Sequence, residues 1–524
     1  MADHILDTTH WDVVLPDEGA TRRLAMDLAA LLAPGDTLAL SGDLGAGKTT
    51  LARALVRELA ADDRLDVPSP TFTLVQSYDL ARAAVVHADL YRVADEAELD
   101  EIGWYEMTEG AIVLVEWPEH AGAALPVERL DVQLALASDM GPNVRRARLS
   151  GHGRFAALLR RVRATRALID LAGFGPSRRR HLLGDASTRA YERLYGAKRD
   201  AILMIAPRRP DGPPVRNGLP YSAIAHLAED VKPFIALARG LKARGFSAPQ
   251  IYAADLDNGL LVLEDLGTEG VVSGAPTAPI VERYEAAADV LAALHGFELP
   301  ARLPVGSGID HVIPAYDLEA FLIEVELLLD WYLPHRGRPA PSAADREVFR
   351  QLWSRVLTLP LAQKPTWVLR DYHSPNLMWL PQRKGLERIG LLDFQDAVMG
   401  PPAYDLASLA QDARLDVPEE LELALVSRYA KARRAAEPAF DVRSFAATYA
   451  ILGAQRATKI LGIFARLKHR DGKPHYLRHI PRIWRYLDRC LAFPDLDPLK
   501  DWYAAHVPPP EAEAVPEALA EAAR

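Results

Sequence analysis

The first third of the chain alternates between short apolar runs and a segment in which apolar residues recur with helical spacing. Apolar runs predict strands at Thr37–Ser41, Ala84–Val86 and Ile112–Val115, and the alternating pattern of Leu130–Ala137 predicts a fourth. Thr49–Ala61 has the period of a helix. Strands interleaved with helices indicate an α/β domain.

The pattern changes from about residue 180 onward. Short apolar runs predict strands at Ala190–Leu194, Ala201–Ile205 and Leu260–Leu263. Beyond them helical periodicity dominates, as in Val281–His295 and Leu318–Tyr332. A small mixed lobe followed by a large helical lobe is typical of an α+β bilobal, kinase-like domain.

An arginine-rich segment separates the two patterns. Eleven arginines and a single acid, Asp170, lie between Arg145 and Arg180. We expect a first domain over 1–145, an Arg-rich linker over 146–177, a second domain over 178–505 and a loosely ordered tail over 506–524. The linker is either a phosphate-contacting patch or the solvated face of a linking helix, and charge runs are usually solvated.

Composition narrows the class of protein. Hydrophobic residues make up 49% and charged residues 25% of the 524 residues, the balance of a soluble protein with apolar cores. We find no signal peptide and no apolar stretch of membrane-spanning length, and we expect a cytoplasmic protein with no membrane partner. The single cysteine, Cys490, excludes an intrachain disulfide, and the net charge of -10 argues against extensive nucleic-acid binding.

One glycine-rich segment predicts a phosphate-binding loop. Gly42 to Thr49 reads GDLGAGKT and fits G-x-x-x-x-G-K-[ST] between a strand and a helix. In such a loop, main-chain N–H groups and the helix N-terminus bind the phosphates of ATP. We assign the nucleotide to Gly42, Gly45, Gly47, Lys48, Thr49 and Thr50. Lys48 would reach the β- and γ-phosphates, and the Thr49 hydroxyl would bind Mg²⁺.

Three further segments accompany the loop: Ser69–Leu74 (SPTFTL), His87–Arg92 (HADLYR) and Val115–Glu119 (VEWPE). With Gly42–Thr50 this set closely resembles the TsaE family. The resemblance implies the ATPase subunit of the bacterial machinery that makes N6-threonylcarbamoyladenosine at adenosine 37 of tRNA. It implies two partner proteins, one of which performs the transfer, and contact with tRNA only through that complex.

Two acids near strand ends are candidates for the hydrolytic chemistry. Glu116 ends the apolar run IVLVE, where a carboxylate can reach the Mg²⁺ shell or orient water, and Asp89 is placed to do similar work from a neighbouring strand. Trp117 and Pro118 shape the turn that follows. Thr71–Thr73 is either a loop that senses the nucleotide or plain β-structure.

A second constellation occurs near residue 371. Asp371 is followed five residues later by Asn376, and Asp393 ends the next apolar run. In kinase chemistry such an Asp accepts the proton of the acceptor hydroxyl, the Asn binds Mg²⁺, and the second Asp binds metal that bridges the phosphates. The spacing predicts a kinase-like site that uses ATP and Mg²⁺, with Asp371 as the catalytic base.

This segment resembles the aminoglycoside phosphotransferase and choline kinase superfamily. Several motifs resemble its branch of anomeric sugar kinases (AmgK-like), which phosphorylate C1 of N-acetylmuramic acid and N-acetylglucosamine: Gly184–Arg189, Leu263–Gly267, Asp371–Asn376, Asp393–Asp396 and Pro402–Asp405. The resemblance implies that Ser187, Thr188 and Arg189 cover the phosphates. It implies that Glu264 and Leu266 belong to an interlobe hinge that pairs with adenine. His373, Asp396 and Asp405 are expected to support the loops.

Two positions depart from the superfamily. Leu369 stands where a His usually precedes the catalytic Asp by two residues, and Met204 stands near the position of a phosphate-pairing Lys. The helix near Val231–Leu241 offers no interior Glu for such a Lys. Either another cation, Arg189 or Arg208, binds the phosphates, or the domain is a pseudokinase. Asp371, Asn376 and Asp393, the expected base and Mg²⁺ ligands, are all present, and this favours an active enzyme.

The sequence therefore predicts a bifunctional fusion of a tRNA-modification ATPase subunit with a sugar kinase of cell-wall recycling. Two alternatives stay open for the second domain. It is a kinase of another alcohol, such as choline or an aminoglycoside, or a non-catalytic interaction domain.

Overall fold

The computed structural model describes residues 7–94, 97–182, 189–208, 212–339 and 341–510. The chain divides into two compact units. The first comprises the described residues up to Ile205 together with Ala253–Val262, and the second comprises Ala206–Tyr252 and the described residues from Leu263.

The first unit contains a seven-stranded sheet. Its strands are β1 (Thr8–Leu15), β2 (Thr37–Ser41), β3 (Val75–Asp79), β4 (Ala84–Asp89), β5 (Ile112–Glu116), β6 (Leu130–Leu136) and β7 (Arg145–His152). The order across the sheet is β1-β7-β6-β2-β5-β4-β3. The central strand β2 is parallel to β5 and β6, and β4 is parallel to β5. β2 and β5 are buried almost throughout, as strands covered on both faces must be.

Helices cover this sheet. They are α1 (Glu18–Ala29), α2 (Lys48–Ala60), α3 (Ala97–Glu101), α4 (Trp104–Thr108) and α5 (Arg154–Leu171). Apolar residues of α1, α2 and α5 share one core with the strands. A second core joins α3 and α4 to β4 and β5. This is the α/β P-loop architecture that the sequence predicts.

The prediction of a linker over 146–177 is wrong, because this segment supplies an interior strand and a long helix of the first unit. β7 pairs with β1 and with β6, antiparallel to both. Ala147, Leu149 and Gly151 are buried, while Arg146 and Arg148 are exposed. α5 packs on β1 and β7 with Phe155 and Leu159 in the core.

The arginines of this segment are largely ion-paired. Seven of the eleven contact acids elsewhere in the first unit; they are Arg146, Arg148, Arg154, Arg160, Arg166, Arg178 and Arg179. The buried Asp27 of α1 binds both Arg166 and Arg179. The segment is therefore part of the folded first domain rather than a linking helix.

A five-stranded sheet follows in the order β13-β14-β10-β9-β8. Its strands are β8 (Arg178–Leu182), β9 (Ala190–Tyr195), β10 (Ala201–Ile205), β13 (Ile251–Asp255) and β14 (Leu260–Glu264). Met204 on β10 is 1% exposed, so this side chain packs in the core. The strand that would present a phosphate-pairing Lys has an apolar residue here.

The second unit is mainly helical. Its helices are α6 (Tyr221–Ile224), α7 (Lys232–Lys242), α8 (Val281–Leu294), α9 (Leu318–Val325), α10 (Leu333–His335), α11 (Ala343–Leu361), α12 (Ala403–Ala410), α13 (Glu419–Ala436), α14 (Val442–Asp471), α15 (Ile480–Leu491) and α16 (Asp497–His506). A π-helix at Leu328–Tyr332 follows α9. The long, mostly buried α14 contacts α9, α11, α12, α13 and α15. The α+β kinase-like fold predicted for this half is confirmed.

Short strand pairs complete the second unit. They are β11 (Pro214–Arg216) with β12 (Leu219–Pro220), β15 (Val272–Ser273) with β16 (Ala278–Pro279), β17 (Arg302–Gly306) with β18 (Ile309–Val312), β19 (Thr366–Val368) with β22 (Val398–Gly400), and β20 (Leu377–Trp379) with β21 (Ile389–Leu391). The helix α16 extends to His506, so the start of the predicted tail is helical; residues 511–524 lie outside the described residues. None of the helices that the structure describes combines the length and the apolar character needed to cross a membrane.

Candidate functional sites

The phosphate-binding loop joins β2 to α2. Gly42 has φ +128°, and a Cβ here would lie 2.1 Å from the carbonyl oxygen of Leu134. Gly47, at φ +106°, occupies the residue before α2, in a conformation that L side chains rarely adopt. The glycines are therefore required by the backbone path, and the loop ends at the N-terminus of a thirteen-residue helix.

Lys48 bends back over the loop. Its Nζ donates to the carbonyl oxygens of Gly42 (2.6 Å) and Asp43 (3.0 Å) and lies 3.6 Å from the centroid of the Trp117 ring. Burial lowers the pKa of Lys48, although nearby carboxylates, first among them Glu116, oppose this shift. The ammonium is thus held at the loop by dipoles and an aromatic face. Trp117, to which the sequence assigned only a turn, covers this ammonium.

Glu116 binds two partners at the end of β5. Thr49 Oγ1 donates to Glu116 Oε2 over 2.9 Å, and His87 Nε2 lies 2.9 Å from Glu116 Oε1. His87 is fully buried on β4, two residues before Asp89. Sequence reasoning quoted His87 within a motif but gave it no role; its i, i+2 spacing from Asp89 on a strand was the available signal.

Asp89 lies beside Glu116 on the parallel neighbouring strand. Burial raises the pKa of Asp89, and the N–H of Tyr91, 3.1 Å from Oδ1, opposes the shift. The structure thus brings together Lys48, Thr49, Glu116 and Asp89, as predicted. Thr50 lies in the first turn of α2. The 71–73 segment forms a turn rather than a strand, with Phe72 85% exposed.

The second site lies on the loop after β19. Asn376 Nδ2 donates to the carbonyl oxygen of Asp371 (2.9 Å), so its Oδ1 points away from this contact. The N–H of Leu392 donates to the carbonyl oxygen of Asn376 (3.0 Å), which places the next residue, Asp393, beside it. Gln395 Nε2 donates to Asp393 Oδ1 (2.8 Å). Two oxygen ligands of the kind that Mg²⁺ prefers are therefore adjacent to Asp371.

Two buried acids hold the ends of this loop. Asp405 accepts from the N–H groups of Leu369 (2.6 Å) and Arg370 (2.9 Å), as expected for a structural residue. Burial raises the pKa of Asp405 to about 7. Asp412, which sequence reasoning missed, accepts from both the N–H and the hydroxyl of Ser374 (2.9 and 2.6 Å). Asp396 likewise supports a loop by accepting from the N–H of Ala228.

Asp371 is open to solvent but surrounded by cations. Its side chain is 47% exposed. Desolvation raises the pKa of Asp371, but nearby positive charges outweigh it and hold the pKa below its usual value: that of His373 while it is protonated, and those of Lys459, Arg370 and Arg456. Arg370 and Lys459 both bind the fully buried Glu324, Lys459 at 2.8 Å. Asp371 is therefore ionised. Two of the cations near it, Arg370 and Lys459, are held in place by the buried carboxylate of Glu324.

His373 is buried against Arg414 rather than against Asp371. Arg414 Nη1 lies 3.1 Å from His373 Nε2, while the distance from Nε2 to Asp371 Oδ1 is 3.9 Å, too long for a hydrogen bond. Desolvation and the charge of Arg414 lower the pKa of His373 to about 4. The imidazole is neutral at pH 7 and accepts from Arg414, so His373 orders the loop, as expected.

The hinge residue Glu264 is fixed by its neighbours. Its N–H donates to the carbonyl oxygen of Gln250 (2.8 Å), and its carboxylate accepts from the N–H of Gln250 (3.0 Å) and from Arg383 (2.6 Å). Leu266 follows, 8% exposed. Of the predicted phosphate-covering residues, Ser187 and Thr188 lie outside the described residues, and Arg189 immediately precedes β9.

Two family models match the chain. "Threonylcarbamoyl adenosine biosynthesis protein TsaE" matches residues 15–146, and "Phosphotransferase enzyme family" matches residues 178–441. A TsaE protein of Bacillus subtilis is 40% identical over 130 residues, which cover 25% of this chain and 78% of the relative.

The second half is similar to curated kinases. An N-acetylmuramate/N-acetylglucosamine kinase of Caulobacter vibrioides is 42% identical over 361 residues, covering 66% of this chain and 97% of the relative. A kinase of the same name from Pseudomonas aeruginosa is 35% identical over 316 residues, covering 59% and 82%. The chain therefore belongs to the TsaE family in its N-terminal part and to the phosphotransferase enzyme family, alongside the N-acetylmuramate/N-acetylglucosamine kinases, in its C-terminal part, and it is an ATP-using enzyme.

Proposed function

We propose that this protein is bifunctional: an ATPase subunit that supports threonylcarbamoyladenosine formation in tRNA, fused to a kinase that phosphorylates the anomeric hydroxyl of N-acetylmuramic acid or N-acetylglucosamine. The observation that carries the kinase assignment is an exposed, ionised Asp371 beside Asn376 and Asp393, in a segment 42% identical to a kinase of that name. In this proposal the sugar phosphate is an intermediate of cell-wall recycling.

In the kinase reaction Asp371 accepts the proton of the C1 hydroxyl as the sugar oxygen forms a bond to the γ-phosphorus of ATP. The bond from that phosphorus to the β,γ-bridging oxygen breaks, and ADP leaves with the electron pair. Asn376 Oδ1 and Asp393 would hold Mg²⁺, whose chemistry is to neutralise charge on the phosphates. The low pKa of Asp371 keeps it ready to accept a hydrogen bond from the hydroxyl.

Two regions would hold the nucleotide at this site. Because the N–H of Glu264 is already bonded to Gln250, pairing with adenine falls to the carbonyl oxygen of Glu264 and to the main chain of Leu266. Arg189, with Ser187 and Thr188, is proposed to cover the phosphates. With Met204 buried and apolar, Arg189 takes the charge that a lysine supplies in related kinases.

In the ATPase site the glycine-rich loop and Lys48 bind the phosphates, and Thr49 and Glu116 would hold Mg²⁺. Their oxygens lie 2.9 Å apart, so a cation can be shared between them. Glu116 and Asp89 then orient the attacking water. Lys48 leaves the carbonyl oxygens of Gly42 and Asp43 to reach the β- and γ-phosphates.

The partners of the first domain are proposed to be the two other subunits of the bacterial threonylcarbamoyl-transfer complex, with tRNA reached through them. The test is ATP hydrolysis and tRNA modification by the purified protein with and without these subunits. We expect both to require the two subunits and to be lost in Lys48→Ala. Modification that proceeds equally well without this chain would overturn the assignment.

The kinase assignment is tested by ³¹P NMR of the protein with Mg²⁺-ATP and either amino sugar. The expected product is a sugar 1-phosphate. A second candidate, a non-catalytic interaction domain, is favoured by Met204 and Leu369, which replace a lysine and a histidine of related kinases. Nucleotide binding without turnover of either sugar would select this candidate, whereas turnover of choline or an aminoglycoside alone would select a kinase of another alcohol.

A further inference from the structure

The carboxylate of Glu116 is held at both of its oxygens. Thr49 Oγ1 donates to Oε2 over 2.9 Å, and His87 Nε2 lies 2.9 Å from Oε1. Because a carboxylate accepts hydrogen bonds, Nε2 carries the proton and is the donor in this contact. Glu116 and Thr49 have roles in the proposed ATPase reaction, whereas His87 has none. One partner of the carboxylate that would bind the metal is therefore unexplained.

His87 lies in the interior of the first unit. Its side chain is fully buried, and that of Glu116 is 2% exposed. Side chains two residues apart on a strand point to the same side, so Val85, His87 and Asp89 share one face of β4. Val85 packs in the apolar core with residues of α2. His87 is thus a polar side chain at the boundary between this core and the ATPase site.

The two ring nitrogens of His87 are used unequally. Within the part of the chain that the structure describes, Nδ1 is buried and has no hydrogen-bond partner. A buried polar atom without a partner is unfavourable, and an apolar side chain at this position would avoid that cost. The hydrogen bond from Nε2 to Glu116 is what the imidazole provides and an apolar side chain does not.

This hydrogen bond determines how the carboxylate is turned. With Oε1 bound to His87, the other oxygen, Oε2, faces the hydroxyl of Thr49. Hydroxyl and carboxylate oxygens are ligands that suit Mg²⁺, so Thr49 and Glu116 fit the ion. Once the Thr49 oxygen serves as a metal ligand, its contact with Oε2 no longer orients Glu116. The contact from His87 is made to the other oxygen and is compatible with metal binding.

We propose that His87 is a positioning residue of the ATPase site, which donates Nε2–H to Oε1 of Glu116 and so keeps Oε2 turned toward Thr49 for Mg²⁺. His87 itself touches neither nucleotide nor metal. This inference rests on the proposed ATPase function. It predicts that loss of the donated hydrogen bond weakens the Mg²⁺-dependent part of ATP binding and leaves the metal-independent part intact.

The first experiment compares two substitutions at one position. His87→Gln keeps an N–H donor close to the place of Nε2, whereas His87→Leu fills similar space without a donor. ATP binding is titrated with Mg²⁺ and with EDTA in the full chain carrying Asp393→Asn, which removes a predicted Mg²⁺ ligand of the second site. Lys48→Ala in the same background identifies the share of binding that belongs to the first site.

The expected result is a selective loss of the metal effect. A hydrogen-bond partner of a metal ligand typically contributes about 10- to 100-fold in metal affinity or activity, so the gain in ATP affinity on adding Mg²⁺ should fall by this factor in His87→Leu and stay within about threefold of wild type in His87→Gln. ATP affinity in EDTA should be the same in both variants and in wild type.

Turnover provides a second measurement. With the two partner subunits present, we expect His87→Leu to need about 10-fold more Mg²⁺ for half-maximal ATP hydrolysis. Val85→Ala, which removes buried atoms from the same face of β4, is the matched control; it should lower stability and leave the Mg²⁺ dependence unchanged. If His87→Leu does not fold, His87→Asn replaces it, because the shorter amide ends near the place of Nδ1 and does not reach Glu116.

The wild-type protein can be tested without a substitution in the measured sample. Histidine ¹⁵N NMR should show the His87 ring protonated at Nε2, with its signal identified by its absence in His87→Gln. The signal should shift when Mg²⁺ is added to the ATP complex. A ring that is protonated at Nδ1 alone would overturn the inference, because Nε2 would then have no proton to donate.

The other outcomes separate this inference from the proposed function. A folded His87→Leu or His87→Asn that keeps the full Mg²⁺ effect would overturn the inference and leave the ATPase assignment in place. Equal losses in His87→Gln and His87→Leu would show that the ring shape matters rather than the donated hydrogen bond. If the wild type neither hydrolyses ATP with its partner subunits nor binds ATP more tightly with Mg²⁺, the proposed function and this inference both fail.

Discussion

The two candidate sites handle phosphate with opposite arrangements of their charged groups. At the first site the functional groups bind one another, since Lys48 contacts loop carbonyls and Thr49 contacts Glu116. At the second site Asp371 is exposed. Buried acids that take no part in the chemistry hold the neighbouring residues in place; Asp405, for example, accepts hydrogen bonds from the main chain of the loop. Nucleotide binding must therefore rearrange contacts at the first site, whereas the second is organised beforehand.

This difference has a consequence for mutations. Replacing Lys48 at the first site removes a ligand contact, and the hydrogen-bond partners that it leaves are neutral main-chain carbonyls. Replacing a supporting acid at the second site strands buried cations or N–H groups. Substitutions at the first site should therefore mainly weaken nucleotide binding, whereas substitutions of the supporting acids at the second site should mainly lower the free energy of unfolding.

The largest expected effect is on turnover at the second site. Asp371→Asn removes the group that accepts the proton, and a general base typically contributes about 10²- to 10⁴-fold, so we expect kcat for the sugar to fall about a thousandfold. Sugar phosphate formation by ³¹P NMR measures it. Asp310→Asn, an exposed acid on β18, is the matched control and should match wild type. Retained turnover in Asp371→Asn would remove this residue from the chemistry.

The supporting carboxylate comes next. Glu324→Gln leaves Arg370 and Lys459 without a buried counter-charge, a loss that typically costs about 3–5 kcal/mol in the free energy of unfolding. Urea unfolding followed by tryptophan fluorescence measures it. Glu319→Gln on the same helix α9 breaks only pairs that are about half exposed on the acid side and should cost about 1 kcal/mol or less. Equal losses in the two variants would contradict the role given to Glu324.

A substitution at the first site should weaken ATP binding rather than lower stability. Lys48→Ala removes one charge-assisted contact to the phosphates, and we expect about 10- to 100-fold weaker ATP binding at that site with little change in unfolding. Calorimetric titration with ATP should find two sites in the wild type and one strong site in the variant. Arg22→Ala, which breaks an exposed pair on α1, serves as control. A variant that keeps both sites at full affinity would refute the assignment.

The smallest expected effect depends on pH. The folded state holds the pKa of His373 at about 4, below the value of 6.5 of an unperturbed histidine, so between these values the unfolded chain binds more protons and stability rises with pH. The contribution is fully present above about pH 6.5 and is lost as pH falls toward 4. From pH 7 to pH 5 we expect a loss of about 2 kcal/mol from this group.

The wild type is compared with His373→Gln, in which the loss of stability between pH 7 and pH 5 that is due to His373 should disappear. Urea unfolding at the two pH values measures it, and His10→Gln, an exposed histidine on β1, is the control. Identical pH dependence in wild type and His373→Gln would show that the imidazole is not held neutral.

Sequence patterns predicted the parts of both sites that are local in the chain. The glycine-rich loop, Thr49 and the five-residue spacing from Asp371 to Asn376 are short-range, and their backbone requirements are visible in the residue types. Glu116 and Asp393 were found because each ends an apolar run. The same reasoning identified Met204 as apolar where a lysine was expected.

The supporting residues could not be found this way. Glu324 and Lys459 are far apart in the sequence, and their contact depends on how α9 packs on α14. Asp412 stands seven residues after Asp405, a spacing that suggests one helix face, but the second acid lies just beyond the end of α12. The strand β7 was missed because two arginines on its outward positions, Arg146 and Arg148, concealed the alternation of its buried residues.

The central claim is that one chain holds two ATP-using sites, each working with its own residues. With the two partner subunits present, we would measure ATP consumption and sugar 1-phosphate in the same samples of wild type, Lys48→Ala and Asp371→Asn. The account predicts that Lys48→Ala still makes sugar phosphate but loses sugar-independent ATP hydrolysis, and that Asp371→Asn does the reverse. Loss of sugar phosphate in Lys48→Ala, or its formation by Asp371→Asn, would contradict the account.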